Sequence, residues 1–180
     1  MLQVVIPGKE FYDEKSQEFR TTKDETLQLE HSLISISKWE AAWYKPFLEK
    51  DPKTDEEIID YVRCMTINNN VSPEVYHNIT SDIFNQISEY INASMTATWF
   101  TEAQNKKHNR EVITSELVYY WMISQNIPME CQKWHFNRLL TLIRICSLKN
   151  APPKKMSKRE AMSRQRALNA SRRARLNSSG

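Results

Sequence analysis

The chain has 180 residues, of which 40% are hydrophobic and 26% charged, close to ordinary globular usage. That length is enough for one domain with a sizeable core. No apolar run approaches the roughly 20 residues that span a bilayer, and the first residues lack the basic start and apolar stretch of a secretory signal peptide. We therefore expect a soluble protein of the cytosol.

Glycine is scarce, since Gly8 and Gly180 are the only two. A backbone that cradles phosphates needs clustered glycines to approach the ligand closely. The sequence therefore contains no Walker P-loop, no dinucleotide-binding fingerprint and no nucleophile elbow. We predict a protein that is not an enzyme and has no cofactor.

Charge is divided unevenly along the chain. Residues 154–180 contain nine basic residues and one acid, a formal charge of +8, whereas the rest contains 16 basic and 21 acidic residues, a formal charge of −5. The whole-chain value of +3 conceals this division. We expect a mildly acidic body with a strongly basic tail.

The first 30 residues have the character of extended chain. Residues 2–6, LQVVI, form a short apolar segment, and residues 11–31 return with β-branched and alternating residues. Within this second segment, residues 13–17, DEKSQ, have the composition of a loop. This pattern predicts a β-hairpin or two strands of a small sheet.

Helical signals follow. Ser37 to Glu40 and Thr54 to Glu57 both fit a capping box, in which a hydroxyl and a carboxylate satisfy backbone N–H groups at a helix start. The first predicts a helix that Pro46 limits. The second predicts a helix whose apolar residues have helical spacing. These residues are Ile58, Ile59, Val62, Met65 and Thr66.

Three more helices are predicted before residue 150. One begins at Ser72-Pro73, with proline at the first helical position, and runs to about Asn92. Residues 95–110 lack a clear hydrophobic periodicity, so we predict turn and loop there. The segments from Glu111 to Gln125 and from Pro128 to Cys146 are apolar over most of their circumference, so we expect them to form the buried centre of a bundle.

Consecutive prolines at 152–153 mark a boundary because they cannot continue a helix. A third capping box, Ser157 to Glu160, then opens a helix-prone segment with almost no core residues. The predicted fold is α+β and mainly α. An N-terminal β-hairpin (1–30) packs on a bundle of about five helices (31–150), and a projecting basic helix lies in a C-terminal tail (151–180).

Neither metal binding nor nucleophilic catalysis is favoured. No two of the four histidines lie three or four residues apart, and the HExxH motif is missing. Cys131 and His135 are one helical turn apart, but the helix that would carry them looks buried, where a thiol is normally inert. Cys64 and Cys146 are likewise interpreted as buried thiols, since no disulfide or CxxC spacing is present. The histidines are His31, His77, His108 and His135.

The basic tail could neutralise several phosphates of a nucleic acid, in contacts that are salt-sensitive and largely sequence-independent. No aromatic residue is interleaved, so base stacking by the tail is unsupported. Its alternative roles are a solvated tail or one that meets an acidic protein surface. Its basic residues are Lys154, Lys155, Lys158, Arg159, Arg164, Arg166, Arg172, Arg173 and Arg175.

Several long, tryptophan-rich strings resemble a family of small proteins encoded in the tail gene clusters of tailed bacteriophages, the tail assembly chaperones. The similarity runs from about Leu27 to the C-terminus. The strings are LQLEHSLISISKWEAAWYKPFL, IIDYVRCMTI, YINASMTATWF, ITSELVYYWMISQNIPMECQKWHFNRLLTLIRICSLKNAPPKKMSK and RALNASRRARLNSSG.

The resemblance implies a non-catalytic role in building the phage tail. Such chaperones bind the tape measure protein, a long and largely helical chain that aggregates, and keep it soluble. They help to recruit tail tube subunits and in several phages leave before the tail is complete. By this resemblance the protein acts in the cytoplasm of the infected bacterial host and is absent from the mature virion.

Partner-binding candidates are apolar residues outside the helical stripes, because exposed apolar patches mark binding sites. The basic tail residues named above are added as contacts for an acidic partner. Two other classes of function stay open: a structural component of the tail or its connector, and a nucleic-acid-associated protein acting through its tail. The aromatic candidates are Trp43, Tyr44, Phe47, Trp99 and Phe100.

Overall fold

A computed structural model describes residues 1–13, 18–21, 23–100, 111–151 and 158–176. The chain divides into two compact units, Met1–Ser147 and Leu148–Gly180. Within the described residues there are four short strands and seven α-helices. The predicted fold class, α+β and mainly α with an N-terminal hairpin, is confirmed.

The strands pair in two antiparallel ladders. Strand β1 (Leu2–Ile6) pairs with β4 (Glu25–Leu29), and β2 (Glu10–Asp13) pairs with β3 (Glu18–Thr21). Alternation along β1 and β4 buries one face and leaves the other accessible. Of the predicted loop 13–17, Asp13 is the last residue of β2 and residues 14–17 lie outside the described part of the chain. The buried side chains are Val4, Ile6, Leu27 and Leu29.

Helix α1 (Leu33–Trp43) begins earlier than predicted. Its N-cap is Ser32, whose side chain accepts from the Ser35 N–H, while the Ser32 N–H donates to Ser35 Oγ at 2.9 Å. The predicted capping box at Ser37 is wrong. Ser32 and Ser35 form the same reciprocal pair, starting five residues earlier, with a hydroxyl replacing the carboxylate. The Glu40 side chain, which the predicted box would have used, is buried instead.

Helix α2 (Asp55–Met65) starts where the sequence predicts. The Thr54 side chain accepts from the Glu57 N–H, and the Thr54 N–H donates to Glu57 Oε2 at 2.8 Å. The predicted capping box at Thr54 is therefore confirmed. Three acidic residues in the first turn add a favourable interaction with the helix dipole.

The single helix predicted from Ser72 to Asn92 is wrong. Proline at the first position opens only a four-residue helix, α3 (Pro73–Tyr76). A new helix, α4 (Ser81–Asn92), begins after Thr80, whose side chain accepts from the Ile83 N–H. The second N-cap explains the break, because a threonine with extended backbone starts a separate helix there.

After α4 the chain forms α5 (Ser115–Ser124), a 3₁₀ helix (Met129–Lys133) and α6 (Phe136–Asn150). Pro128 opens the 3₁₀ helix, so the predicted helix start at that proline is wrong for α6. Helix α5 also buries only one face, which corrects the prediction that it is buried over most of its circumference. Its buried residues are Ser115, Val118 and Met122, whereas Tyr120 and Ile123 are exposed.

The core of the first unit joins the inner face of the β1–β4 ladder to helices α1, α2, α4, α5 and α6. Burying large apolar side chains supplies the main favourable term in folding. Helix α1 contributes three large buried side chains to this core, Leu33, Ile36 and Trp39. The largest fully buried side chains elsewhere include Met65, Ile87, Met122, Phe136 and Leu139.

The second unit contains helix α7 (Lys158–Leu176). Every side chain described in this helix is exposed. The predicted capping box at Ser157 lies outside the described residues. Across the described ranges, no helix combines the length and apolar character that crossing a bilayer requires.

Candidate partner-binding surfaces

The turn after α1 is fixed by the buried carboxylate of Glu40. Tyr44 has φ 53°, in the left-handed region, and its N–H donates to the Glu40 carbonyl oxygen at 2.8 Å. The Glu40 side chain accepts from the Phe47 N–H and from the Ser115 N–H, each at 2.8 Å. One side chain therefore joins the end of α1, the following turn and the start of α5.

Two of the predicted partner-binding aromatics, Trp43 and Phe47, are half-buried at this turn and contact their own chain. Trp43 Nε1 donates to Asp60 Oδ2 at 2.9 Å. The Phe47 ring lies 4.1 Å from the ring of Tyr61, measured between centroids, and Lys53 Nζ lies 4.6 Å from the Phe47 centroid. Both side chains attach the end of α1 to α2.

The same junction contains an ion pair at a buried carboxylate. Lys45 Nζ donates to Glu57 Oε1, and this contact with Lys45 holds the pKa of Glu57 below its ordinary value. Trp39 Nε1 donates to the Glu57 carbonyl oxygen at 2.8 Å. Glu57 therefore serves as helix cap, ion-pair partner and contact for a core tryptophan.

Two other predicted aromatics are the most exposed large apolar residues of the described chain. Tyr44 is 92% exposed and Trp99 is 84% exposed. Phe100, next to Trp99, is half-buried, and its ring lies 4.0 Å from the Arg144 guanidinium carbon. Tyr44 and Trp99 are thus available to a partner without rearrangement, whereas Phe100 has an intramolecular contact.

An apolar groove of about 520 Å³ lies between α2, the α3 region and the start of α4. The predicted partner-binding residues do not line it. Ile58 and Ile59 of α2 are half-buried there, and Phe84 of α4 is 39% exposed. The groove is lined by Asp55, Ile58, Ile59, Val62, Tyr76, His77, Ile79, Thr80, Ser81, Phe84 and Asn85.

The sequence held a signal for this groove. The apolar residues of α2 extend from Tyr61 round to Ile59, an arc of about 160° at 100° per residue. A surface helix needs an apolar stripe of only about 100° to face its own core. Tyr61, Val62 and Met65 span that stripe and are buried, so Ile59 remains as a surplus edge that lines the groove. Ile58 lies within the stripe but is only half-buried, and it also lines the groove.

Sequence reasoning missed a pair of buried histidines, because their separation along the chain gives no motif. The imidazoles of His31 and His135 lie 5.1 Å apart between centroids. His135 Nε2 donates to the Tyr90 carbonyl oxygen at 2.9 Å, and His31 Nδ1 is hydrogen-bonded to the Tyr61 hydroxyl. Burial, with a smaller effect of His135, lowers the pKa of His31 to about 3.

The prediction that Cys131 and His135 share one helix face is wrong. Cys131 lies in the 3₁₀ helix, whereas His135 immediately precedes α6. Cys131 is buried, but Cys64 and Cys146 are only half-buried, which corrects the expectation that all three are buried. Burial raises the pKa of the Cys64 thiol to about 11. Within the described ranges, no group of three or more His, Cys, Asp or Glu side chains could hold a metal ion.

Helix α7 carries seven of the nine predicted basic residues, all of them exposed: Lys158, Arg159, Arg164, Arg166, Arg172, Arg173 and Arg175. Lys154 and Lys155 lie outside the described part of the chain.

No protein-family model matches the chain, nor does any curated protein or solved structure.

Proposed function

We propose that the protein is a non-catalytic tail assembly chaperone of a tailed bacteriophage, which binds the tape measure protein and keeps it soluble. The α2–α4 groove is the observation that carries this proposal. A chaperone for a largely helical chain needs an accessible apolar surface that accepts an amphipathic helix, and helix-in-groove docking provides it.

The groove offers apolar side chains that an amphipathic helix can contact. Its apolar lining comes from Ile58, Ile59, Ile79 and Phe84, and polar side chains such as Asn85 lie among them. An amphipathic helix contacts a groove of this kind through apolar residues spaced three and four apart. Tape measure sequences with that spacing, exposed before assembly, are the proposed ligands, and tail tube subunits are further proposed partners.

The exposed aromatics extend the surface available to a long partner. Tyr44 and Trp99 lie outside the groove and are mainly exposed. Aromatic side chains contribute strongly to binding because they bury a large area with few rotatable bonds. We propose that they provide secondary contacts, so that their loss weakens capture less than the loss of groove residues.

Co-expression with the tape measure protein of the same phage tests the function. The proposal predicts that the tape measure protein moves from the insoluble to the soluble fraction and is captured with this chain. If it stays insoluble and no complex forms, the chaperone function is contradicted. Mass spectrometry of purified virions separates the alternative, because a structural tail component would be present there in stoichiometric amount.

A further inference from the structure

Helix α7 is the most strongly charged surface of the described chain. It contains seven basic residues, whereas its sequence holds a single acid, Glu160. All seven basic side chains are exposed, and no ion pair joins any of them to another described residue. At 1.5 Å per residue the helix is about 28 Å long. The function proposed for the α2–α4 groove does not involve this surface.

Five of its six arginines lie on two opposite flanks, and Arg172 lies between these flanks, on the same side as Lys158. Arg159, Arg166 and Arg173 are seven residues apart, so successive ones are separated by about 10.5 Å along the axis and only about 20° around it. Arg164 and Arg175 share a second position, about 160° round from Arg166. The helix therefore presents positive charge over about 220° of its circumference, with the two rows of arginine at the edges of this arc.

A basic arc of this width is not the arrangement for docking on one flat acidic protein surface. An amphipathic helix on a protein also needs an apolar stripe. The exposed apolar residues Met162, Leu168 and Leu176 lie within an arc of about 120°, but Lys158 and Arg172 lie in the same arc and interrupt it. A flat protein partner would leave one row of arginines unpaired.

We propose that α7 binds double-stranded DNA through its phosphates, independently of base sequence. The major groove of B-form DNA is about 12 Å wide and admits an α-helix between two phosphate backbones. The two rows match those two backbones. Double-stranded RNA fits less well because its major groove is deep and narrow, and a single strand would need stacking aromatics, which α7 lacks.

The acidic body gives this proposal a clear electrostatic consequence. Residues outside the tail have a formal charge of −5, so they repel DNA, and binding must depend on the tail. This activity is independent of the proposed chaperone function, because it needs neither the groove nor the tape measure protein. Failure of one therefore leaves the other intact.

The test measures binding of the full chain to a labelled 20-base-pair DNA duplex by fluorescence anisotropy, over a series of salt concentrations. Engagement of the five flank arginines predicts a slope of log K against log salt of about −4.5, at about 0.9 per phosphate contact. The variant R159Q/R166Q/R173Q loses one row and should bind with a slope of about −2. Circular dichroism checks that the variant keeps its helix.

A matched control, K38Q/K50Q/K133Q, removes three exposed lysines from the body and should leave the slope unchanged. The proposal is overturned if no duplex binding occurs at about 50 mM salt, or if the triple arginine variant keeps the original slope. Binding to poly-glutamate without binding to duplex DNA would also overturn it, since it would identify an acidic protein as the partner. Tighter binding to duplex RNA than to duplex DNA would contradict the groove fit.

Discussion

The imidazole rings of His31 and His135 meet edge to face in the core, with their centroids 5.1 Å apart. The backbones meet there as well: the Phe136 N–H donates to the His31 carbonyl oxygen at 2.7 Å, and Ser32 forms an antiparallel bridge with His135. These contacts join the end of the β-hairpin to the start of α6. Both histidines are buried, so this junction depends on their being neutral.

The stability of the protein should fall as the pH drops below about 6.5. Burial lowers the folded-state pKa of His31 to about 3 and also lowers that of His135. Between these values and the unfolded pKa, the unfolded chain binds more protons than the folded one, so stability rises with pH. His31 alone should contribute a loss of about 2 kcal/mol between pH 7.5 and pH 5.

Urea unfolding measured between pH 7.5 and pH 5 checks this expectation, in a range that lies above the ordinary pKa of carboxylates. The variant His31→Gln should lose about 2 kcal/mol of the pH dependence, whatever its absolute stability. The exposed His77→Gln is the matched control and should keep the dependence. A pH dependence that is unchanged in His31→Gln would show that this histidine is not held neutral by the fold.

Replacement of Glu40 by Gln should destabilise the first unit by about 2–4 kcal/mol. The Glu40 carboxylate accepts from two backbone N–H groups, those of Phe47 and Ser115, and hydrogen bonds to a charged group contribute about 1.5–3 kcal/mol. An amide cannot accept both, because one of its two heavy atoms is a donor. Chemical denaturation measures the loss.

The exposed Glu49→Gln serves as control for Glu40→Gln and should change the unfolding free energy by less than about 0.5 kcal/mol. Equal stability of the two variants would mean that Glu40 does not organise the turn after α1.

Local signals in the sequence predicted much of the fold. The apolar strand at residues 2–6 and the capping box at Thr54 depend on neighbouring residues, and the structure confirms both. The start of α1 could not be chosen with confidence from local pattern, because Ser32 and Ser37 each offer a hydroxyl at a suitable place. Tertiary contacts decide between them: Glu40 is needed in the core to accept from Ser115, which lies far away in the sequence.

The exposed and buried tryptophans should differ sharply in their effect on stability. Trp99 is 84% exposed, so Trp99→Ala should change the unfolding free energy by less than about 0.5 kcal/mol. Trp39 is buried and its Nε1 donates to the Glu57 carbonyl oxygen, so Trp39→Ala should cost about 3–5 kcal/mol. Thermal unfolding of the two variants measures both. A large loss in Trp99→Ala would show that this side chain packs against its own chain.

Cys64 should react slowly with iodoacetamide in the folded protein at pH 7.5. Its thiol pKa is raised to about 11, mainly by burial and further by the nearby carboxylate of Asp60, and only the thiolate is nucleophilic. We expect alkylation more than 100-fold slower than in the unfolded chain, where the pKa is about 8.5. Peptide mass spectrometry follows each cysteine separately. Equal rates in the folded and unfolded protein would contradict the raised pKa.

The candidate binding surface was only partly predictable. Large aromatics outside helical stripes identified Tyr44 and Trp99, which are exposed, together with Trp43 and Phe47, which contact α2. Sequence alone could not separate these cases, because the turn after α1 directs Phe47 inward and Tyr44 outward. The groove depends on how α2 and α4 lie beside each other, and only the surplus apolar arc of α2 signalled it.

The most direct test of the chaperone proposal compares two charge substitutions in the captured complex. Phe84→Glu places a carboxylate in the α2–α4 groove, whereas Tyr120→Glu places one on the exposed face of α5. Both sites are exposed, so both variants should fold, which thermal unfolding verifies. The account predicts that Phe84→Glu lowers the amount of co-purified soluble tape measure protein at least about 10-fold, equivalent to about 1.4 kcal/mol of binding free energy, while Tyr120→Glu leaves it unchanged. Equal capture by Phe84→Glu and the unmodified protein would contradict the groove as the binding site for the tape measure helix.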